Sequence, residues 1–303
     1  MQISGKIKRY FRIIEVVQNH LYPTVDIIMN SLFDDGFDIS DRTLQRSLKE
    51  LREEFFIDIQ FNRSLGKYEI IECDEEHVEQ LLKFFRLSYQ ADTLTNSLGN
   101  SKKLSKHISY DYNELVQGSE HISPILQAIQ KKNLLKISHK SFYSKEAKTH
   151  IIEPYLLKEF KGRWYLLARK HSSPKNEGYL SFGFDRILSL EGIKDKFKPQ
   201  ISNPKKFYKD VVGLSGWDNK LENIIIEFPY LQGQYVKSLP IHESQAILED
   251  TDEKVIVSVN LKPNFEFYQL LWGYGQYAKV LEPKSIIDNM IYELETTLKQ
   301  YVN

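Results

Sequence analysis

The chain has 303 residues, 41 % of them hydrophobic, and its 41 Lys and Arg balance 41 Asp and Glu. That length and apolar content support two or three domains with cores of their own, and they exclude collagen-like, disordered and disulfide-rich classes. The single cysteine, Cys73, cannot form an internal bridge, which fits a reducing cytosol and removes any cysteine-based zinc site. No apolar run approaches the roughly 20 residues that cross a bilayer, and residues 1–10 are too polar for a signal peptide, so a soluble cytoplasmic protein is expected.

Taken in order, Ile7, Tyr10, Phe11, Ile14 and Val17 recur at helical spacing, and a second helix fits 25–33 before the turn Asp34-Asp35-Gly36. Ser40 is a good N-cap for a third, in which Leu44, Leu48, Leu51 and Phe55 share a narrow arc. Arg42, Gln45, Arg46, Lys49 and Glu53 fall on the opposite arc, polar groups suited to base edges and phosphates. Two β-like stretches, 57–61 and 68–71, follow around a turn bearing Arg63 and Lys67. Three helices and a hairpin in that order predict a winged helix-turn-helix over 1–72. The net charge of this segment is −2, which opposes phosphate binding unless the local basic face dominates.

Residues 73–133 read as a helical linker, with apolar residues at helical spacing over 75–91, a polar irregular stretch over 94–113 and a helix starting after Ser123-Pro124. Short strands then fit 134–143, 150–158, 163–170, 179–185 and 187–191, separated by Lys161-Gly162 and Ser172-Ser173-Pro174. Five strands in under sixty residues predict a small barrel over 134–198. From Lys131 to Lys198 sixteen Lys and Arg face seven Asp and Glu, a net +9 that points to an anionic partner. In the third strand the two-residue period sends Trp164, Leu166 and Ala168 one way, and Arg163, Tyr165, Leu167 and Arg169 the other. After a connector over 199–220, strands at 224–228, 254–261 and 278–281 with helices at 265–272 and 285–302 make a C-terminal α+β domain over 221–303.

The run Glu153-Pro154, then Gly162-Arg163-Trp164-Tyr165-Leu166-Leu167-Ala168, then Phe184-Asp185-Arg186-Ile187, resembles the WYL domain of bacterial transcriptional regulators. Ser40-Asp41-Arg42-Thr43 resembles the start of the recognition helix in the winged domains that precede it, which implies Arg42, Thr43, Gln45, Arg46 and Lys49 as groove residues, with Arg63 and Lys67 on the flanking backbone. Leu271-Trp272-Gly273 with Val280-Leu281-Glu282-Pro283 resembles the extension found after many WYL domains, which implies a part in dimer exchange and relay. The resemblance makes the barrel SH3- or Sm-like. It implies a single-stranded nucleic acid or nucleotide as its ligand, with His139, Tyr143, His150, Arg163, Tyr165, Arg169 and Arg186 as contacts. His139 and His150 stand where relatives commonly hold Tyr and Arg, and the extra arginine often found before Asp-Arg-Ile is replaced by Tyr179, Ser181 and Phe182. Arginine suits the task because its planar fork engages phosphate oxygens in pairs, and tyrosine offers a face for stacking.

An enzyme would need a nucleophile with its base, a metal cage or paired carboxylates. Gly213-Leu214-Ser215-Gly216 lacks the spacing of a nucleophile elbow, and His242-Glu243 has no second zincin histidine. Gly273-Tyr274-Gly275-Gln276-Tyr277-Ala278 follows a predicted helix and precedes a strand, the reverse of what a dinucleotide fingerprint requires. The sequence therefore reads as an α+β multidomain regulator, a homodimer on a palindromic duplex operator, without catalytic residues, metal or cofactor. A nucleotide- or nucleic-acid-processing enzyme and a non-DNA-binding interaction module are the alternatives.

Overall fold

A computed structural model describes residues 3–21, 23–71, 75–99, 118–175 and 177–302. Cys73 and most of the polar stretch expected over 94–113 lie outside the described residues. The chain divides into two compact units, Met1–Asp111 and Tyr112–Asn303.

The first unit is built from α1 (Ile3–Asn19), α2 (Val25–Asp34), α3 (Asp41–Phe55), an antiparallel hairpin of β1 (Asp58–Asn62) and β2 (Lys67–Ile71), and α4 (Glu75–Gly99). The Ser40 hydroxyl accepts the Thr43 amide and starts α3, and Phe56 ends it in the left-handed region at φ 56°. Leu44, Leu48 and Leu51 bury the inner arc, as their spacing requires. In the hairpin turn the Asn62 carboxamide oxygen accepts the amides of Ser64 and Leu65, and Gly66 takes φ +63°. Val78 and Phe85 of α4 enter this same core, where Phe55 meets Tyr10 and Phe85 edge-on at 5.7 and 5.1 Å. The stretch read as a linker thus gives α4 to the first unit and α5 (Ile122–Lys131) to the second.

The second unit holds two sheets. The first has β3 (Asn133–His139), β4 (Lys148–Phe160), β5 (Arg163–Lys170), β6 (Tyr179–Gly183) and β7 (Ile187–Lys196) in the order β6-β5-β4-β3-β7, antiparallel throughout. Lys161 and Gly162 join β4 to β5 with φ of 49° and 75°, the positive pair that a tight two-residue hairpin demands. Among the described residues no ladder joins β6 to β7, so the closed barrel expected from the sequence is an open five-stranded sheet. A 3-10 turn, Phe184–Arg186, links those two strands.

One face of this sheet is covered by a helix and part of the other by returning chain. Leu135, Ile137, Ile152, Leu166, Ala168, Phe182 and Phe184 pack with Ile125 and Ala128 of α5 on one side, and Trp164 lies partly buried against them. Leu134, Tyr155 and Leu167 on the other side pack with Phe197, Tyr208 and Val211 of the connector.

The second sheet comprises β8 (Glu222–Pro229), β9 (Ala246–Asp250), β10 (Lys254–Leu261) and β11 (Lys279–Glu282) in the order β11-β8-β10-β9. With α6 (Tyr230–Ser238) after β8 and α7 (Phe265–Tyr274) after β10, this is the split βαββαβ arrangement of ferredoxin-like folds. Helix α8 (Lys284–Val302) follows and packs on β11 through Ile286. Ile224, Ile226 and Phe228 alternate into the core along β8.

The connector is stitched to the start of α7. Asn264 caps that helix by accepting the Phe267 amide at 2.9 Å, and its amide donates to the carbonyls of Val212 and Ser215 at 2.6 and 2.7 Å. Glu266 accepts the Leu214 amide at 3.2 Å and the Ser215 hydroxyl at 2.6 Å.

Candidate functional site

Two groups of sequence-predicted residues come together, one in each unit. In the first unit Arg42, Gln45, Arg46 and Lys49 are all exposed along one face of α3. The Thr43 hydroxyl is half-buried and occupied by Ser40 Oγ at 3.2 Å, so its work is at the cap. Arg46 and Lys49 lie 3.9 and 3.7 Å from Glu50 and Glu53 one turn on. Such exposed pairs contribute little and exchange readily for a stronger anion. Arg63 is exposed at the hairpin turn, whereas Lys67 is half-buried and lines a separate groove with His20, Glu69 and Glu75.

In the second unit the predicted ligand residues divide between the two faces of the five-stranded sheet. His139 of β3 and His150 of β4 stand over Phe182 of β6, at 5.3 Å edge-on and 6.0 Å tilted. The Arg186 guanidinium lies 4.5 Å over the exposed ring of Phe142. Asp185 takes Arg186 Nε at 3.3 Å and the exposed Arg163 at 3.6 Å. Burial, and then the nearby Arg186 charge, lowers the His139 pKa below that of a free imidazole, and its buried Nε2 has no hydrogen-bond partner. Burial also lowers the His150 pKa, helped by Lys170 and Lys148. The cluster therefore sets two imidazoles, neutral near pH 7, against Phe182 beside the charges of Arg163, Asp185 and Arg186. Tyr143 is fully exposed on the turn before β4.

Arg169 corrects the sequence reading. It was expected on a ligand-facing surface with Arg163 and Tyr165, yet it is 3 % exposed. Its guanidinium donates to buried Glu153 at 2.8 Å, to the Ser173 carbonyl and to the Pro174 carbonyl at 2.9 Å. Glu153 also pairs with His171 Nδ1 at 2.9 Å and accepts the Tyr155 hydroxyl at 3.1 Å. The alternation along β5 was read correctly, but the connector covers the second face, so Leu167 and Arg169 point into protein. Tyr165 lies on that face too, half-buried and paired in register with Lys158. Desolvation lowers the Lys158 pKa, and its ammonium sits 4.4 Å over the Tyr208 ring.

Sequence reasoning missed Phe142 and the part played by Phe182. An exposed phenylalanine beside a basic run was the available signal for the first; nothing in the spacing marked the second.

Residues 120–191 match the family model of the WYL domain, and residues 221–298 that of the WCX domain. No curated protein matches. Among solved structures, proteasome accessory factor B/C (PafBC) of Arthrobacter aurescens is 15 % identical at a TM-score of 0.29, the alignment covering 99 % of this chain and 55 % of that one. This chain thus spans about half of that protein. A CRISPR Cas-related protein is 11 % identical at a TM-score of 0.39, with 99 % and 86 % covered. Such low scores add nothing to the two domain matches. The His139, His150 and Arg186 cluster and all of the open sheet but the end of β7 fall within the first match and the ferredoxin-like sheet within the second, so the chain carries a WYL domain followed by a WCX domain.

Proposed function

We propose that the chain is a ligand-responsive, DNA-binding transcriptional regulator. Its first unit acts as a winged helix-turn-helix, with α3 in the major groove and the β1–β2 hairpin as the wing. The five-stranded sheet, an opened relative of an SH3- or Sm-like barrel, senses a nucleic-acid fragment or nucleotide. A homodimer on a roughly palindromic operator follows, because one winged domain buries too little surface for a high specificity ratio and two half-sites add their contacts. The observation that carries the reading is the basic outer face of α3, free of tertiary burial at Arg42, Gln45, Arg46 and Lys49, in a chain whose other unit holds the WYL domain. On the sheet, Arg186 and Arg163 supply charge, the half-buried His150 supplies a hydrogen bond with His139 packed behind it, and Phe142 with Tyr143 offers faces on which a base stacks.

Fluorescence anisotropy of the full chain with labelled duplexes and single strands tests this, with and without divalent metal. Replacing Arg42 and Arg46 by alanine is expected to abolish duplex binding and leave single-strand binding intact. His139→Ala with Arg186→Ala is expected to do the converse. Metal-dependent cleavage would favour an enzyme, and binding to neither strand type an interaction module.

A further inference from the structure

We propose that Gln45 reads an adenine in the operator and that Tyr68 is the positioning residue that holds it ready. The inference rests on α3 being the groove helix. The Gln45 carboxamide nitrogen donates to the Tyr68 hydroxyl at 3.2 Å. Tyr68 is itself fixed: it is 6 % exposed, its amide donates to the Pro23 carbonyl at 2.8 Å, and its ring meets that of its register partner Phe61 edge-on at 5.2 Å. An exposed glutamine ordinarily gives up several rotors when it binds, which weakens its discrimination. Here a hydroxyl on the neighbouring hairpin has already restricted them.

The bond uses one N–H of the amide. The carbonyl oxygen and the second N–H remain, and together they match the N6 donor and N7 acceptor that adenine alone presents as a pair in the major groove. The surroundings agree with a base at this point. A groove of about 410 Å³ runs between α3 and the hairpin, with Gln45, Lys49 and Gln60 as polar lining and Ile59, Phe61 and Tyr68 as apolar lining. Phe61 is 47 % exposed there, an apolar contact for the 5-methyl group of a thymine in the same or the adjacent pair. Lys49 lies on the same side of the helix and can take the flanking phosphate.

The test is enrichment from a random duplex pool by the full chain, followed by affinities for every base at each enriched position. Wild type is expected to select adenine at one position in each half-site, by about 5- to 150-fold over the other bases. Gln45→Ala should flatten the preference there and nowhere else, and Gln45→Arg should turn it towards guanine. Tyr68→Phe should lose a several-fold part of the adenine preference while the salt dependence of binding, which counts phosphate contacts, stays unchanged. Should Tyr68→Phe fail to fold, the Gln45→Arg swap still decides the base assignment. Enrichment in which Gln45 variants keep the wild-type base preference, or lose affinity evenly at all positions, would overturn the inference and leave DNA binding standing. No enrichment of any duplex by wild type would overturn both.

Discussion

Arg169 and Glu153 form a buried ion pair in which each charge has several partners, the guanidinium three acceptors and the carboxylate three donors. Removing one member strands the other in low dielectric, which costs about 3–5 kcal/mol. Arg169→Ala is thus expected to lower the denaturation midpoint of the second unit severely, without being a ligand-contact variant; a wild-type midpoint in urea would contradict the buried pairing. The histidines make a pH statement. Both titrate below their usual value of about 6.5, so the unfolded chain binds more protons than the folded one once pH drops past that value. Their contribution to stability is intact above about pH 6.5 and is lost as pH falls towards their folded values. His139→Gln with His150→Gln should flatten the fall of the thermal midpoint as pH drops below about 6.5.

Among the elements, α6 and β9 were not foreseen. Helix α6 carries Gly233 in its interior and leaves Leu231 and Tyr235 exposed, so its outward face gives no amphipathic pattern. The glycine has a packing reason: a Cβ there would stand 2.3 and 2.5 Å from side-chain atoms of the fully buried Val255. Gly233→Ala therefore sets a helix-propensity gain of about 1 kcal/mol against an overpacking cost of about 1–3 kcal/mol, and a net loss of thermal stability is expected. Gly273 in α7 has nothing within 4 Å of its would-be Cβ, so Gly273→Ala should stabilise by about 0.5–1 kcal/mol. Calorimetry of the pair gives opposite signs if packing, and not propensity, decides at α6. The edge strand β9 keeps four of its five residues exposed, so no alternation of buried and exposed positions marks it.

For the whole molecule, much of the architecture was legible because local rules sufficed. Ser40 and the Leu44, Leu48 and Leu51 arc marked α3, and alternation marked β5 and β8. What escaped was what depends on distant chain. No local pattern tells that residues 197–217 return to cover β5, and so the cationic site was drawn across both faces of a sheet when its members belong to different ones. For the same reason the strand pattern alone suggests a closed barrel, since periodicity fixes which way side chains point and is silent on whether the first and last strands meet.

With α5 laid under one side of that sheet and residues 197–217 over part of the other, the ground around Lys136, Ile151 and Glu191 is left bare. The imidazoles gather on the α5 side, at the margin where β6 gives way to β7 past Asp185 and Arg186. The two places lie on opposite sides of one pleated layer, so filling either leaves the other open.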